Sequence, residues 1–268
     1  MPGTNRPCSE IGDFVRWDAV EGQRHPGLRA MHPVPVLMYH SVGPVPDRSR
    51  RRGLFVPVAA FGRQMALLRR LGYAALPISE ALVHLQAGSS RRVCSITFDD
   101  GFLDNVDNAL PILKKHGHRA TCYVVSDRIG MTNAWSQAVL GACSPLAGED
   151  ALRLWLRSGM EIGAHTRTHA RLTRASDGEL ADEVSGSKES LERRFGVPVT
   201  QFCYPWGDHD DRVVRAVRDA GFTGATTTRR GRARASVDPL RVPRLGVMRH
   251  HWLPAFWLKV HTRYGDRP

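Results

Sequence analysis

The stretch SITFDDGFLDN, residues 95–105, places two adjacent carboxylates, Asp99 and Asp100, at the end of an apolar run. The run itself, VCSITF, has the composition of a buried strand. A carboxylate resists transfer out of water unless it finds a partner, so packing gives no reason to set two of them side by side here. A bound cation or a reacting group would give one. Gly101 would let the backbone turn sharply, so that both side chains point inward.

Strand and helix patterns alternate on both sides of this stretch. Strand patterns occur at VPVLMYH, YAALPI, ATCYVV, MEIGAH, VTQFCYP, FTGATTT and RLGVMR, with amphipathic helix patterns between most of them. Such alternation predicts parallel strands with helical crossovers. About seven units without a dividing linker favour an α/β fold of one domain, a closed or nearly closed β/α barrel, whose reactive groups collect where the strands end.

Capping residues predict where several helices begin and end. Ser79 is expected to cap the helix EALVHLQ. Ser176 and Glu179 form a capping-box pattern before a long helix that runs to Phe195. Gly117 closes the helix pattern VDNALPILKKHG.

The ends of the chain differ in character from its centre. Residues 1–33 lack sustained periodicity and are rich in Gly, Pro and Arg, so we expect a loosely ordered extension, followed by a domain over 34–250 and a tail over 251–268. No apolar run approaches the ~20 residues of a membrane span. The N-terminal stretch lacks the apolar centre of a secretory signal. We therefore expect a cytoplasmic location.

The charge is strongly positive, at +12, and 34 of the 38 basic residues are arginine. Clusters occur at RSRRR (48–52) and RRGRAR (229–234). No aromatic residues interleave with them and no helix-turn-helix or zinc-finger pattern accompanies them, so nucleic acid is not the expected partner. Solvated loops are the simplest interpretation, and an anionic substrate or membrane surface stays open. The five cysteines are irregularly spaced and contain no CxxC, as in a reducing compartment.

The stretch HTRTH, residues 165–169, follows another strand pattern. Histidines four apart face the same way on a helical turn, as metal ligands require. One carboxylate of the Asp99–Asp100 pair would complete a mixed oxygen and nitrogen ligand set that suits a divalent ion such as Zn²⁺. The other carboxylate could then act as general base toward a metal-bound water, whose pKa falls to about 7 in such sites.

Three stretches together resemble a known family. TFDDG, HTRTH and YPWG are similar to the first three motifs of the polysaccharide deacetylases, the NodB-homology or carbohydrate esterase family 4 group, and the resemblance covers residues 34–247. It implies a distorted (β/α)₇ barrel and metal-dependent removal of acyl groups, usually N-acetyl from amino sugars. It also implies a divalent ion; Zn²⁺ is expected, and Co²⁺, Ni²⁺ or Mn²⁺ stay open.

The resemblance assigns roles to the matching positions. Asp99 resembles the catalytic base, and Asp100, His165 and His169 resemble the metal ligands. Thr166 lies within the second motif and is expected to support the geometry of its loop. The third motif contributes an aromatic residue whose N–H binds the oxyanion and whose ring lines the sugar groove, which here is Trp206, with Tyr204 and Pro205 in the turn that presents it.

Two features depart from the family pattern. The arginine that usually opens the third motif and braces the catalytic aspartate is replaced by Cys203, as in the YPxG branch near enzymes of poly-N-acetylglucosamine. Arg244 is a candidate for the missing cation, and an exposed arginine is the simpler alternative. The general acid is also open: His250 in MRH is a loose match to the fifth motif, His40 ends the first strand pattern, and each could instead be structural.

Several functions remain open at this point. Removal of N-acetyl groups from a polysaccharide, oligosaccharide or glycolipid is the first expectation. A deformylase or deacetylase of an amino sugar on a lipid-phosphate carrier is the second, and the arginine clusters favour an anionic lipid carrier or membrane surface as partner. An O-acetyl esterase is a third. A non-catalytic glycan-binding relative would be expected to lose a ligand or the base, and this chain keeps all four.

Overall fold

Parallel strands close into a ring in the computed structural model, which describes residues 32–47, 49–88, 90–137 and 141–266. The expected N-terminal extension therefore lies almost wholly outside the described residues. Within them, the ring strands are β1 (Val36–Tyr39), β5 (Val93–Phe98), β6 (Thr121–Val124), β7 (Glu161–Ala164), β8 (Gln201–Cys203), β9 (Gly224–Arg230) and β10 (Val242–Gly246). The remaining strands are β2 (Ser41–Val42) and β3 (Phe55–Val56), which pair with each other, and β4 (Ala74–Leu76).

The ring closes through β1, which pairs in parallel with both β10 and β5. Leu37 of β1 lies opposite Leu245 on one side and Ile96 on the other. The opposite edge of β5 is shared: β4 pairs with its first half and β6 with its second half. The predicted distorted seven-stranded barrel is confirmed, with β4 as an extra strand outside the ring.

Helices pack around this ring as amphipathic crossovers. Those of the described chain are α1 (Val58–Arg70), α2 (Ile78–Gln86), α3 (Leu110–His116), α4 (Glu149–Arg157), α5 (Asp177–Ala181), α6 (Ser187–Phe195), α7 (Asp211–Asp219) and α8 (Leu253–His261). α1 shows the principle: Phe61, Met65 and Leu68 are fully buried at helical spacing. No helix among the described residues is both long and apolar enough to cross a bilayer.

The capping predictions have mixed outcomes. Ser176 and Glu179 form the predicted capping box, and Gly117 ends α3 with a φ of +67°. The prediction for Ser79 is wrong, because α2 begins at Ile78 directly after Pro77. The hydroxyl of Thr121 on β6 accepts a hydrogen bond from the Ile78 N–H, so a tertiary contact replaces the local cap.

The expected C-terminal tail contains a helix that the sequence analysis did not predict. On α8, Phe256 and Val260 are buried against the hydrophobic core. Beyond it, the Asp266 carboxylate accepts hydrogen bonds from the guanidinium group of Arg232 at 2.7 and 3.1 Å, in the loop after β9. This end of the chain is thus attached to the barrel.

Candidate active site

The residues of the three sequence motifs meet at the carboxyl ends of the strands. Asp99 and Asp100 follow β5, His165 follows β7, and Trp206 follows β8. These residues and His169 line one cavity of about 360 Å³. The ring therefore brings together side chains that are far apart in sequence, as parallel barrels do at this face.

Asp100, His165 and His169 form a compact ligand set. The Oδ1 atom of Asp100 lies 3.5 Å from Nε2 of His165 and 3.2 Å from Nε2 of His169, and all three residues are buried. Two ligand atoms bound at ~2.1 Å in a tetrahedral arrangement are about 3.4 Å apart. Nδ1 of His165 lies 2.7 Å from the carbonyl oxygen of Cys203; a neutral ring that donates this N–H has its Nε2 lone pair available to a cation shared with Asp100. The arrangement fits a divalent cation.

Strained backbone surrounds the same point. Of the described residues other than glycine, those with positive φ are Asp100 (71°), Thr166 (65°), His169 (69°) and Trp206 (63°), all lining or flanking the ligand set. Such conformations cost about 1–3 kcal/mol each and are concentrated at functional sites. They also show how the two histidines converge.

HTRTH is not a helical turn, as the sequence analysis assumed, but an irregular loop after β7. Left-handed residues at Thr166 and His169 reverse the chain, and the Oγ1 of Thr166 accepts a hydrogen bond from the His169 N–H at 2.9 Å. The expectation that Thr166 supports the loop agrees with this contact. The histidine rings end 4.9 Å apart between centroids.

Arg244 of β10 forms a two-pronged ion pair with Asp99. Its Nη1 and Nη2 atoms lie 2.6 and 2.8 Å from the two carboxylate oxygens, and its side chain is fully buried. The alternative of an exposed arginine is therefore wrong. Burial raises the pKa of Asp99, but the charge and hydrogen bonds of Arg244 lower it more, so that the pKa lies below its ordinary value. Asp99 is ionised and oriented at neutral pH.

Cys203 explains how Arg244 can occupy this place. Its Sγ atom lies 3.2 Å from Nη2 of Arg244, at the position where the resembled family usually carries an arginine. A small thiol leaves room for the guanidinium group that arrives from β10. Asp99 thus still has an arginine partner, but this arginine lies on β10 and not in the third motif.

The metal-ligand candidates differ in their proton affinities. Burial raises the pKa of Asp100, but hydrogen bonds from His165 and His169 outweigh burial and hold it well below its ordinary value. Burial lowers the pKa of His169 and dominates there. The pKa of His165 is raised, because Cys203 and Asp100 favour its charged form more than burial opposes it. A cation bound at the three ligand atoms would disfavour protonation of His165.

The two candidates for the general acid separate in the structure. His40 lines the cavity, with Nε2 4.0 Å from Oδ2 of Asp99 and a side chain 20% exposed. His250 does not line this cavity; it is exposed in a separate cleft beside Pro57 and Trp252. Of the two open candidates, the structure thus brings His40 to the cavity and not His250, because the segment turns after Met248, which does line the cavity.

Aromatic residues enclose His169. Trp206 stands edge-on to its ring, with centroids 4.9 Å apart and planes at 80°, and Trp135 stacks on it at 4.8 Å and 17°. Tyr204 also lines the cavity, fixed by its hydroxyl, which donates to the Leu240 carbonyl oxygen, and Pro205 is buried behind it. Trp135 was not predicted from the sequence, because it lies in a single 3₁₀ turn, Ala134–Ser136, that has neither periodicity nor a motif.

Comparison with known proteins identifies relatives of this site. The family model described as polysaccharide deacetylase matches residues 86–225, just over half of the chain, including both aspartates and both histidines. The chain is 29% identical over 202 residues to YxkH of Bacillus subtilis, whose name assigns it provisionally to the polysaccharide deacetylases. It is 24% identical over 181 residues to the poly-beta-1,6-N-acetyl-D-glucosamine N-deacetylase of Staphylococcus epidermidis.

These matches cover 75% and 64% of this chain, but only 66% and 61% of the two relatives, so this chain spans less than two thirds of their length. Among solved structures, a polysaccharide deacetylase from Bacillus cereus is similar with a TM-score of 0.73 and 28% identity, over 84% of this chain and 68% of that one. A Streptococcus pyogenes deacetylase shares the fold, with a TM-score of 0.75 and 24% identity, over 86% of this chain and 99% of that one.

Proposed function

Because this chain belongs to the polysaccharide deacetylase family, we propose that it is a metal-dependent hydrolase that removes N-acetyl groups from amino sugars of a polysaccharide, oligosaccharide or glycolipid. The observation that carries the proposal is the convergence of Asp100, His165 and His169 on one point, beside a separately braced Asp99, in one cavity. Two carboxylates with different partners suit two different tasks.

Asp100, His165 and His169 would hold the metal. When bound, a divalent ion such as Zn²⁺, or alternatively Co²⁺, Ni²⁺ or Mn²⁺, supplies a Lewis acid for the acyl oxygen and lowers the pKa of the attacking water. A set of three protein ligands is typical of catalytic rather than structural metal sites.

The remaining groups handle protons and orientation. Asp99 accepts the proton of the attacking water, with Arg244 fixing the direction of its carboxylate. The backbone N–H of Trp206, presented by the Pro205 turn, donates to the oxyanion that develops at the acyl oxygen. His40 gives a proton to the leaving nitrogen as the C–N bond breaks. The products are a free amine and acetate.

Arg51 favours a second candidate substrate. This exposed residue lines the same cavity as Asp99 and Asp100. A guanidinium group at the cavity wall suits a substrate with an anionic substituent. An amino sugar linked to a lipid phosphate is such a substrate, and the group removed from it would be N-formyl or N-acetyl. Loss of activity toward the phosphorylated sugar alone in Arg51→Gln would support this candidate. A non-catalytic glycan-binding relative would bind sugar without amine release.

The testing experiment combines metal analysis with amine release from a panel of N-acyl sugars, oligosaccharides and lipid-linked sugars. Asp99→Asn is expected to keep the metal and to lose turnover by about 10²–10⁴-fold, the usual contribution of a general base. His165→Ala should lose the metal. Unchanged turnover in Asp99→Asn, or full metal content in His165→Ala, would contradict the assignment.

His40 and His250 provide a matched pair for the general acid. His40→Gln is expected to lower turnover, because the proton donor is lost. His250→Gln should leave turnover unchanged, since His250 lies outside the cavity. The reverse result would remove His40 from the proposed scheme.

A further inference from the structure

The helix that follows the HTRTH loop along the chain contains a π-helical turn. α5 (Asp177–Ala181) continues in π-helical form through Asp182–Gly186 and then into α6 (Ser187–Phe195). Such a turn inserts one extra residue into an α-helix, and π-helical turns are frequent at functional sites. Val184, in the middle of the turn, is fully buried in the hydrophobic core, so the turn is firmly attached to the barrel.

The carboxylate of Glu183, in this turn, bonds with the HTRTH loop. Its Oε2 atom accepts hydrogen bonds from the backbone N–H groups of Arg167 and Thr168 at 2.8 and 3.0 Å. Its Oε1 atom accepts a third hydrogen bond from the hydroxyl group of Thr168 at 2.5 Å. The two bonded residues lie between the metal-ligand candidates His165 and His169. One side chain thus holds the part of the chain that connects the two ligands.

The other side of the loop bonds with the segment that follows β6. The backbone N–H groups of Ser126 and Asp127 donate to the carbonyl oxygens of Thr166 and Arg167 at 3.1 and 3.0 Å. Backbone N–H groups that leave water need an acceptor, and Glu183 supplies it for two successive residues of the loop. The loop is therefore held from both sides, by the segment after β6 and by the π-helical turn.

The Arg167 side chain connects the same two elements. Its guanidinium group lies 2.9 Å from the carboxylate of Asp127 and 2.6 Å from that of Asp182, which precedes Glu183. Gly186 leaves room for this side chain, because a Cβ atom at that position would lie 3.0 Å from Cδ of Arg167. The π-helical turn and the loop therefore fit closely against each other.

The residues on either side of these contacts have strained backbone. Thr166 and His169 have φ angles of 65° and 69°, and such conformations persist only where the surrounding structure determines them. His169 also places its Nε2 atom 3.2 Å from Oδ1 of Asp100. If the contacts with Glu183 were lost, the loop could relax and this ligand atom would move.

We propose that Glu183 is a positioning residue for the metal site, because its carboxylate fixes the HTRTH loop in the conformation in which His165 and His169 converge. The inference rests on the metal site of the proposed function. Glu183 does not line the cavity that contains the ligand set. It acts through the backbone of Arg167 and Thr168 and takes no part in the reaction itself.

The test measures the dissociation constant of the full chain for Zn²⁺ by competition with a chromophoric chelator. Glu183→Ala should raise this constant about tenfold, the lower end of the range for groups that orient metal ligands. Glu183→Gln keeps an oxygen atom that can accept from both backbone N–H groups, so it should recover most of the affinity. The visible spectrum of bound Co²⁺, which reports the arrangement of its ligands, should change in Glu183→Ala and stay the same in Glu183→Gln.

Two further variants separate positioning from general stability. Glu179→Ala is the matched control, because the Glu179 carboxylate forms the capping box with Ser176 at the start of the same helix. It should lower Tm and leave the dissociation constant unchanged. Thr168→Val removes the hydroxyl group that donates to Glu183 and should weaken metal binding less than Glu183→Ala does. In the double variant it should add no further loss, because its partner is already gone.

The outcomes distinguish this inference from the proposed function. Equal dissociation constants in the parent and in Glu183→Ala would overturn the inference and leave the metal site intact. An equal loss of affinity in Glu179→Ala would also overturn it, since the effect would then come from general destabilisation, and so would additive losses in the double variant. A parent chain that binds no Zn²⁺ would overturn the metal site of the proposed function, and this inference with it.

Discussion

The His169 imidazole is held by ring contacts rather than by a second hydrogen bond. Its Nδ1 atom is buried and has no partner among the described residues, whereas His165 uses its own Nδ1 on the Cys203 carbonyl oxygen. Metal-binding histidines usually donate their second N–H, which fixes the ring. For His169, Trp135 on the face and Trp206 at the edge do this instead.

Replacement of Trp135 should therefore affect the metal site without removing a ligand. We expect Trp135→Ala to weaken metal binding about 10- to 100-fold, the range seen for residues that orient ligands. Trp135→Phe keeps a stacking ring and should bind nearly as the parent does. Competition with a chromophoric chelator measures both affinities; equal affinities in the parent and Trp135→Ala would show that the indole does not orient His169.

Asp99 and Arg244 form a buried ion pair, in which each charge compensates the other. Arg244→Met leaves the Asp99 carboxylate unpaired in a buried position, and we expect a loss of about 3–5 kcal/mol in the free energy of unfolding. Asp99→Asn together with Arg244→Met removes both charges and should recover most of that loss. Denaturant unfolding of the single and double variants gives the comparison. A double variant no more stable than Arg244→Met would refute the coupling.

The strands were more predictable than the connections between them. Most ring strands contain a short apolar run between turn signals, so the alternation in sequence predicted the barrel. The barrel in turn predicted that TFDDG, HTRTH and YPWG meet at one end. Arg244 was only a candidate, because its partner Asp99 is 145 residues away and no local pattern reports such a contact. The left-handed turns at Thr166 and His169 carry no glycine, so nothing in the sequence marked them.

The ion pair between Asp266 and Arg232 attaches the segment that follows α8 to the barrel. The hydrogen bond from Arg232 is the main cause that lowers the pKa of Asp266 below its ordinary value. Because the folded pKa is depressed, the stabilisation is present above the unfolded value of about 3.9 and is lost as the pH falls through the folded value. We expect Asp266→Asn to lower the free energy of unfolding by about 1 kcal/mol near neutral pH.

Faster amide hydrogen exchange in α8 of the Asp266→Asn variant would locate the effect. The difference in stability from the parent should shrink and disappear at a pH below the folded value of Asp266. Asp177→Asn is a control, since its ion pair with Arg212 lies elsewhere and its side chain is 91% exposed. A difference that persists unchanged in acid would show that the charge of Asp266 is not its cause.

The ring separates the hydrophobic core from the ligand set at its end. The core cluster runs through the helices and the outward faces of the strands, while Asp100, His165 and His169 lie in segments that follow the strands. Chelation should therefore leave the fold intact, unlike the unfolding of small domains that depend on structural zinc. The metal would still stabilise the folded state, because the unfolded chain does not assemble the three ligands.

Metal at 100 times its dissociation constant should add about 2.7 kcal/mol to the free energy of unfolding. For a chain of this size that corresponds to roughly 5–10 °C in Tm. Thermal unfolding of the chelated protein, with and without added Zn²⁺, measures the shift, and His165→Ala should show none because one of its three ligands is lost. Circular dichroism should report the same helix and strand content before and after chelation. A chelated chain that is already unfolded would mean that the ligand set holds the barrel together and is not a site added at its end.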